Sequence, residues 1–522
     1  MFISPCLPVA PSCRKDCVLF AMRKIVLFLI CAGLHLHGNG QTVRFSKYHD
    51  VFGTGDNNGV RVEVMPQGYA FTSLHFCSPQ SFAPCSALSV TDSLGEIIYS
   101  KWFGKIRIEG LRYHSADSTF LFWGDFQTQP LIEDWTVFLL KATYWGDTIW
   151  SVNINDPKMD FCRRTVELPD GSILLTSSYR WTNDAPAIVS KVDAEGNHLW
   201  TKYYDNGNAF EANDTQGIVP WENSSVMVCS RGIGVDTFDG NNYTAGVALF
   251  QLDYDGNVLW DSAYRIAAGT NYAVASLAKL PNGKLAVPSN DDRPGQNEGG
   301  AYILGIDEEK SIEWSIGFPY TWPDIIRMHT TLDSNLVGCG SAGLDLYGTW
   351  DAYPWLLKIS AEGEVMWERF ITYDLGNAVN DVLPTPDGGY IVVGNFRDPP
   401  SPAPNGQYYV WLLKLDGDGC LQLGCDSLKV TVPVSEPPVS QNSLIAVSPN
   451  PADATLTVSV GPIALGGQLR LFDVQGHLVS SISVNAETLA IPTQQLTGGL
   501  YWIQCLTPEG HILGTVKVSI QH

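Results

Sequence analysis

The chain has 522 residues and a net charge of −22, with 49 glycines, 31 prolines and only 16% charged side chains. A balance that acidic argues against nucleic acid or an anionic membrane as partner, because nothing offsets phosphate repulsion. The turn-rich composition, with 11% aromatics, suits an all-β protein rather than long helices or disorder, and no internal apolar run approaches the ~18 residues of a membrane span.

Met22-Arg23-Lys24 supplies a basic segment, residues 25–36 a short apolar one, and Gly38-Asn39-Gly40 a small-residue stretch before Gln41. This order predicts an export signal, with Met22 as the start and 1–21 as an upstream or extended basic region. Cys31 is a poor lipoprotein site, since Ile30 before it is bulkier than the small residue such sites need. Residues 1–40 are therefore expected to be an N-terminal extension and signal peptide. Beyond them lie eight cysteines: 77, 85, 162, 229, 339, 420, 425 and 505. In an exported chain Cys77/Cys85 and Cys420/Cys425 are close enough to close local loops as disulfides. No CxxC or HExxH is present, which argues against zinc.

The body of the chain repeats one figure seven times. LLKISAEGEVMW (356–367) is an apolar run, a tight polar turn and a second run ending in tryptophan. The figure recurs at 86–99, 138–150, 187–200, 248–260, 302–314 and 410–423. A glycine precedes the closing large residue by four places in all but the copy ending at Trp314, where Lys310 stands. Closing positions 99, 150, 200, 260, 314, 367 and 423 are 50 to 60 residues apart. Each figure is preceded by another hairpin signal, clearest in Pro-Asp-Gly at 386–388 and 169–171 and Pro-Asn-Gly at 281–283. Such turns preset φ and admit the left-handed region. Four short antiparallel strands per repeat, seven times over, predict an all-β seven-bladed β-propeller over 41–428. In the last repeat the strands are expected at 378–383, 390–394, 410–415 and after Gly417. The last copy closes on Leu423 instead of an aromatic. VRFSKY (43–48) is similar to the residues after the tryptophan in other copies, so this N-terminal strand is expected to help complete the seventh blade. On the turn and Gly-x-x-x-Trp pattern, the region resembles the propeller-like repeat regions of exported Bacteroidetes proteins, of the broad pyrroloquinoline-quinone-like or kelch-like shape class.

After Cys425 the composition changes. Residues 429–444 are rich in Pro, Ser and Val and read as an extended linker. Residues 445–522 alternate apolar positions between Pro-Asn-Pro, Gln-Gly, Gly-Gly and Glu-Gly turns, predicting a small β-sandwich. Pro449-Asn450-Pro451, then Phe472-Asp473-Val474-Gln475-Gly476, then Gly498-Gly499-Leu500-Tyr501, in this order at a C-terminus, resemble the type A sorting domain of the type IX secretion system. The resemblance implies that Pro449, Asn450, Pro451, Asp473, Gly476, Gly499 and Tyr501 carry an export signal read by that machinery. It also implies removal of the tail as the protein is anchored at the surface. Family tails often end in a lysine-rich strand, whereas Lys517 stands alone here.

Candidate chemistry is sparse. Gly338, Gly340 and Gly343 fit GxGxxG, but Gly338 falls where Gly394 falls in its own repeat, and the βαβ context of a dinucleotide site is missing. The acidic turns 253–256 and 416–419 are similar to calcium loops without the glutamate an EF-hand needs. They read as hairpin turns; calcium is the one ion they would take, and no other cofactor is expected. The polar insertion 236–243 lengthens one repeat. Arg180, Trp181, Asp291, Asp292, Arg293, Arg397 and Asp398 follow the second strand of their repeats and are expected on one rim, where such side chains suit carbohydrate or peptide binding. No GxSxG elbow or Cys/His pair selects a nucleophile. The leading expectation is a secreted or surface-attached binding module. The alternatives are a glycoside hydrolase or lyase using rim carboxylates and a structural surface or adhesion component. Buried acidic or histidine residues on the central axis would favour the enzyme.

Overall fold

The computed structural model describes residues 43–521 apart from 54–56, 79–80, 130–131, 179–185, 205–209, 236–241, 266–271, 275, 292–299, 319, 344–351, 372–376, 399–406, 422–424, 426–428, 431–444, 461–463, 475 and 509–511. The expected signal region and most of the expected linker lie outside the described residues.

Seven antiparallel sheets follow one another along the chain. Blade 1 is Asn58–Met65, Gly68–Ser78, Ser81–Asp92 and Ile97–Gly104; blade 2 is Arg107–His114, Thr119–Gln129, Ile132–Thr143 and Thr148–Ile154. Blade 3 is Phe161–Glu167, Ile173–Ser178, Ala187–Val192 and His198–Tyr204; blade 4 is Phe210–Trp221, Ser225–Val235, Asn242–Asp253 and Val258–Arg265. Blade 5 has a broken inner edge, Tyr272–Val274 and Ala278–Lys279, before Leu285–Asp291, Ala301–Ile306 and Ile312–Phe318. Blade 6 is Thr321–Thr330, Leu336–Gly343, Ala352–Ile359 and Val365–Ile371, to whose outer edge Lys429–Val430, at the start of the expected linker, adds a short parallel strand. Blade 7 is Ala378–Pro384, Tyr390–Asp398 and Gln407–Leu415, and its fourth strand is Phe45–His49 from the other end of the chain. No strand after Gly417 serves there; that stretch is a turn followed by the Cys420–Cys425 disulfide.

Each sheet buries both faces against its neighbours, and a separate apolar cluster fills each of the seven blade-to-blade junctions. The cluster holding Val62, Phe71, Val393 and Leu412 joins blade 7 to blade 1 and shuts the ring. The other six join successive blades, as Ile303, Leu336 and Trp355 do for blades 5 and 6. Packing blade on blade removes every long sheet face from water, which a lone meander cannot do.

The repeated turn is the clasp between blades. At Gly363 the chain has φ of +87°, and an added Cβ would lie 2.5 Å from the ring of Trp314, the closing residue of the preceding blade. Glycine answers both the left-handed conformation and the close approach. The same meeting joins Trp150 to turn 196, Trp200 to turn 256 and Trp367 to turn 419. Blade 5 has Lys310 at that place with φ of +66°, and its ammonium sits 4.5 Å from the Trp260 ring centre. Blade 7 closes on Phe45, which pairs with Lys414 as Trp367 does with Lys358 and meets the turn at Gly95; Leu423 lies outside the described residues. The missing aromatic of the seventh copy is thus supplied by the first strand of the described chain.

The tail is a small two-sheet sandwich. One sheet is Ile445–Ser448, Thr455–Val460 and Thr488–Pro492; the other is Leu478–Ser483, Gln468–Phe472, Gly499–Leu506 and Ile512–Ile520. Leu456, Val458, Leu469, Tyr501, Ile503 and Val518 are among the residues of its core.

Candidate functional site

Inner strands surround the axis, so their irregularities shape it. A one-residue bulge interrupts the inner strand of six blades at one register position, at Val60, Glu109, Arg163, Gln216, Ile326 and Asn380. A bulge re-aims the side chains around it and frees a carbonyl from the ladder. The next residue is Arg61 in blade 1, Arg164 in blade 3 and Arg327 in blade 6. Each donates from Nη1 back to the bulge carbonyl, at 2.5, 3.0 and 2.8 Å. Opposite the bulge, a Cβ on Gly124, Gly340 or Gly394 would lie within 1.9 Å of an inner-strand carbonyl oxygen. Gly340, not Gly338, is therefore the counterpart of Gly394, each standing four residues into its strand. The GxGxxG glycines lie on an antiparallel strand, and Gly340 among them serves the bulge.

A carboxylate holds one of these arginines, Arg61, together with Arg107 beside it. Glu109 takes Arg107 at 3.2 Å and Arg61 at 3.4 Å. Burial works against its charge, but the guanidinium groups of Arg107, Arg61 and Arg163 keep its carboxyl below the usual range. Arg107 also grips Asp125 with two hydrogen bonds of 2.9 and 2.8 Å and lies 4.5 Å from the Phe161 ring centre. Burial pushes Asp125 up to about 7 in spite of that grip. In blade 7 the residue after the bulge is Asp381, which accepts Val62 N–H at 3.3 Å and is hydrogen-bonded to His329 Nε2 at 3.1 Å. Burial opposes its ionisation, yet His329 and Arg61 hold its carboxyl low. Glu63 behaves oppositely, burial pushing it up to about 8.

Two donors of this ring are left over. Arg164 Nη2 and Arg327 Nε are buried with no hydrogen-bond partner among the described residues. Burial, and then the charge of Arg61, pull the Arg164 guanidinium down to about 10, the sign of positive charge that its neighbours do not fully compensate. Three arginines thus occupy one register position of the axis among the carboxylates Glu109 and Asp381, and two of them have N–H groups to spare, inside a chain that is acidic overall.

The ends of the second strands, where they turn to the third, and the links between blades share the face opposite the clasp turns. Asp291, Arg397 and Asp398 stand there at second-strand ends, in blades 5 and 7. Arg397 donates its backbone N–H to Asn377 Oδ1 at 2.9 Å. Arg180, Trp181, Asp292 and Arg293 lie outside the described residues, as does most of the insertion at 236–243. The same face carries an aromatic group that the sequence does not announce. Phe52 stacks on His75 at 4.8 Å and meets Trp102 edge-on at 4.9 Å, with Trp102 53% exposed. It lies beside the Cys77–Cys85 disulfide.

The acidic turns spend their oxygens internally. Asp253 Oδ1 accepts the N–H groups of Asp255 and Asn257, and Asp416 accepts those of Asp418 and Cys420 while pairing with Arg44 at 2.7 Å. Among the described residues no three His, Cys, Asp or Glu side chains gather as a metal site. Cys162 and Cys339 are buried thiols whose pKa burial raises, which keeps them protonated and inert.

In the tail, Asn450 clips the first strand region to the last, donating to Lys517 O at 2.8 Å and accepting Ser519 N–H at 2.8 Å, with Pro449 and Pro451 flanking it. Asp473 closes its turn by accepting His477 N–H at 2.9 Å, with Gly476 at φ of +82°. Gly499 opens the strand in which Tyr501 faces the sandwich core and donates to Thr497 O at 2.8 Å.

Among solved structures, a protein of unknown function from Bacteroides caccae is 15% identical over 60% of this chain and 93% of its own, with a TM-score of 0.34. A polysaccharide lyase, an ulvan lyase, is 9% identical over 71% of this chain and 94% of its own, with a TM-score of 0.43. PorZ, a surface component of the type IX secretion system of Porphyromonas gingivalis, is 11% identical over 88% of this chain and 70% of its own, with a TM-score of 0.25. No curated protein gives a significant match. No helix among the described residues is long and apolar enough to cross a membrane. Residues 446–519 match the family of secretion system C-terminal sorting domains, so the tail belongs to that family and the chain is an exported protein, secreted or held at the cell surface.

Proposed function

We propose that the propeller, residues 41–428, is a surface-displayed binding module that takes an anionic ligand from the loop face, delivered there by the sorting domain at 445–522. The observation that carries this reading is the arginine ring: Arg61, Arg164 and Arg327 occupy one register position in three blades, and two of them hold buried N–H groups unspent. Carboxylate or sulfate groups match such donors in charge and geometry. Arg180, Trp181, Asp291, Asp292, Arg293, Arg397 and Asp398 supply the outer contacts in this reading, with Phe52 and Trp102 as a stacking platform for sugar rings. The test is a thermal-shift titration of the full chain with uronic-acid oligosaccharides, neutral oligosaccharides and acidic peptides. A ligand bound only by the folded state raises the melting temperature. Anionic ligands are expected to give the shift, salt to weaken it, and Arg164→Ala to cost about tenfold in affinity, the scale of a charged hydrogen bond. A shift by neutral sugars alone, or by nothing, overturns it.

One observation favours an enzyme instead. The axis holds carboxyls of split proton affinity, Glu63 raised to about 8 and Asp381 held low beside His329, the pattern of an acid and a base working as a pair. In that case a bound acidic oligosaccharide would be cleaved, and Glu63→Gln would stop cleavage while leaving binding intact.

A further inference from the structure

The middle of the clasp turn is solvent-facing in design. At the place just before the turn glycine or Lys310, five blades carry an acid: Glu195, Asp255, Glu309, Glu362 and Asp418. Blade 2 carries Trp145, only 2% exposed. Blade 1 carries Leu94, 55% exposed, so of the two apolar residues at this place only Trp145 is covered, and its cover is the tail. Trp145 stacks face to face on Trp502, with ring centres 3.7 Å apart and planes 6° from parallel. Its Nε1–H donates to the carbonyl of Asp473 at 3.1 Å. The Tyr144 ring beside it fits against Gly476, where an added Cβ would lie 2.9 Å away. Gln504 Nε2 and Thr515 Oγ1 both donate to the carbonyl of Ile98, at 2.8 and 2.7 Å. Lys517 reaches Asp147 at 3.1 Å, and Lys101 shares that carboxylate at 3.0 Å.

We propose that blades 1 and 2 carry a docking surface for the chain's own sorting domain, anchored by Trp145, and that the docked propeller covers one face of the sorting motifs. The tail strand Gly499–Leu506 is buried almost along its whole length. Alternate residues of a strand point to opposite faces. Tyr501, Ile503 and Cys505 fill the tail's own core, while Trp502 joins the core of blades 1 and 2 and Leu500 packs on it. The lone lysine of the last strand is part of the same contact. Any partner that reads this face must displace blade 2, and to do so it needs an indole slot, a carboxylate for Lys517 and an open carbonyl for Gln504 and Thr515.

Hydroxyl-radical footprinting of the full chain, read by mass spectrometry at Trp502 and Tyr501, separates docking from folding. Both residues are buried, Trp502 by the propeller and Tyr501 by the tail. Trp145→Ala is expected to raise Trp502 oxidation about tenfold, the scale of a lost aromatic stack, with Tyr501 unchanged. Lys517→Glu, which alters only the partly exposed rim of the contact, is expected to raise it about two- to threefold, the scale of a surface ion pair. Three results overturn the proposal: free oxidation of Trp502 in the unsubstituted chain, no change in either variant, or loss of Tyr501 protection together with Trp502. The last would make the contact part of the tail's own fold.

Discussion

The clasp side and the axis side of each blade follow opposite rules. At the clasp the same residue types recur: an aromatic closes one blade and a left-handed turn of the next lies on it, from Phe45 on Gly95 to Trp367 on Gly419. At the axis the backbone recurs, a bulge at one register position, while the side chain after it changes from Arg61 to Gly110, Arg164, Gly217, Arg327 and Asp381. Repetition is the signature of structure, because every blade must meet a neighbour in the same way. Variation on a fixed backbone is what the proposed axial site would require, because a ligand there would meet all blades at once and need a different group from each.

The largest way to break this contrast is at Glu109. If the axis were kept only for a ligand, its ion pairs would be dispensable for folding. Glu109 is instead the shared counter-ion of Arg107 and Arg61, and removing one partner of a buried pair strands the other charges. Glu109→Ala is expected to lower unfolding stability by about 3–5 kcal/mol in urea titrations, more than any clasp substitution. A loss below about 1 kcal/mol would show that the arginines are already satisfied elsewhere.

The clasp could be found in the sequence and the axis could not, for physical reasons. A tryptophan four residues after a turn glycine is a local pair, visible in a single copy and unmistakable in seven. The local seventh copy shows only Leu423 because Phe45 and Lys414 meet across nearly the whole propeller, but the strand that carries Phe45 was legible from the likeness of VRFSKY to the residues around other closing tryptophans. A bulge leaves no mark on its own residue: Val60, Glu109, Gln216 and Asn380 share no chemistry. The only trace is the glycine facing it, and there a count of four residues from the strand start selects Gly340 over Gly338. The rim residues Arg397 and Asp291 could be placed at strand ends because that needs only strand order. The ring of Arg61, Arg164 and Arg327 needs register. Trp145 was the one legible hint of docking, an indole where five other turns carry acids.

A pH titration sharpens the contrast, because the two sides titrate in opposite directions. Glu63 on an inner strand has its folded pKa raised from 4.5 to about 8, by burial first, so its unfavourable burial grows as pH rises through that window. His49, on the strand that closes the ring, has its pKa lowered from 6.5 to about 4 by burial, so it contributes stability that is complete above 6.5 and lost toward pH 4. Between about 4.5 and 6.5 the two oppose each other. From 6.5 to 8 the Glu63 effect remains, joined up to about 7 by that of Asp125, and stability is expected to fall there, by at most about 3 kcal/mol at roughly 1.4 kcal/mol per pH unit for each group. Glu63→Gln should flatten that limb of the urea-midpoint profile and leave the acid limb standing. A profile unchanged by the substitution would mean that water reaches Glu63 in the folded chain.

The finest test lies at the one clasp that departs from the rule. Gly363→Ala would put a Cβ at φ of +87° and 2.5 Å from Trp314, costing about 1–2 kcal/mol from the left-handed conformation alone. Lys310 already bears that conformation, at φ of +66°, and has what offsets it: its ammonium over Trp260 and a 2.7 Å hydrogen bond to Gln251 Oε1. Lys310→Gly would relieve about 1 kcal/mol of backbone cost and forfeit about 0.5–1 kcal/mol of cation–π attraction, plus a half-exposed hydrogen bond. The net change in the urea midpoint should correspond to less than about 0.5 kcal/mol in either direction. A clear gain would mean that Lys310 is retained at a cost in stability, and that this clasp, like the axis, is shaped by something other than the need to hold two blades together. A near-zero change would place Lys310 with the glycines, as a second chemical solution to the same packing problem.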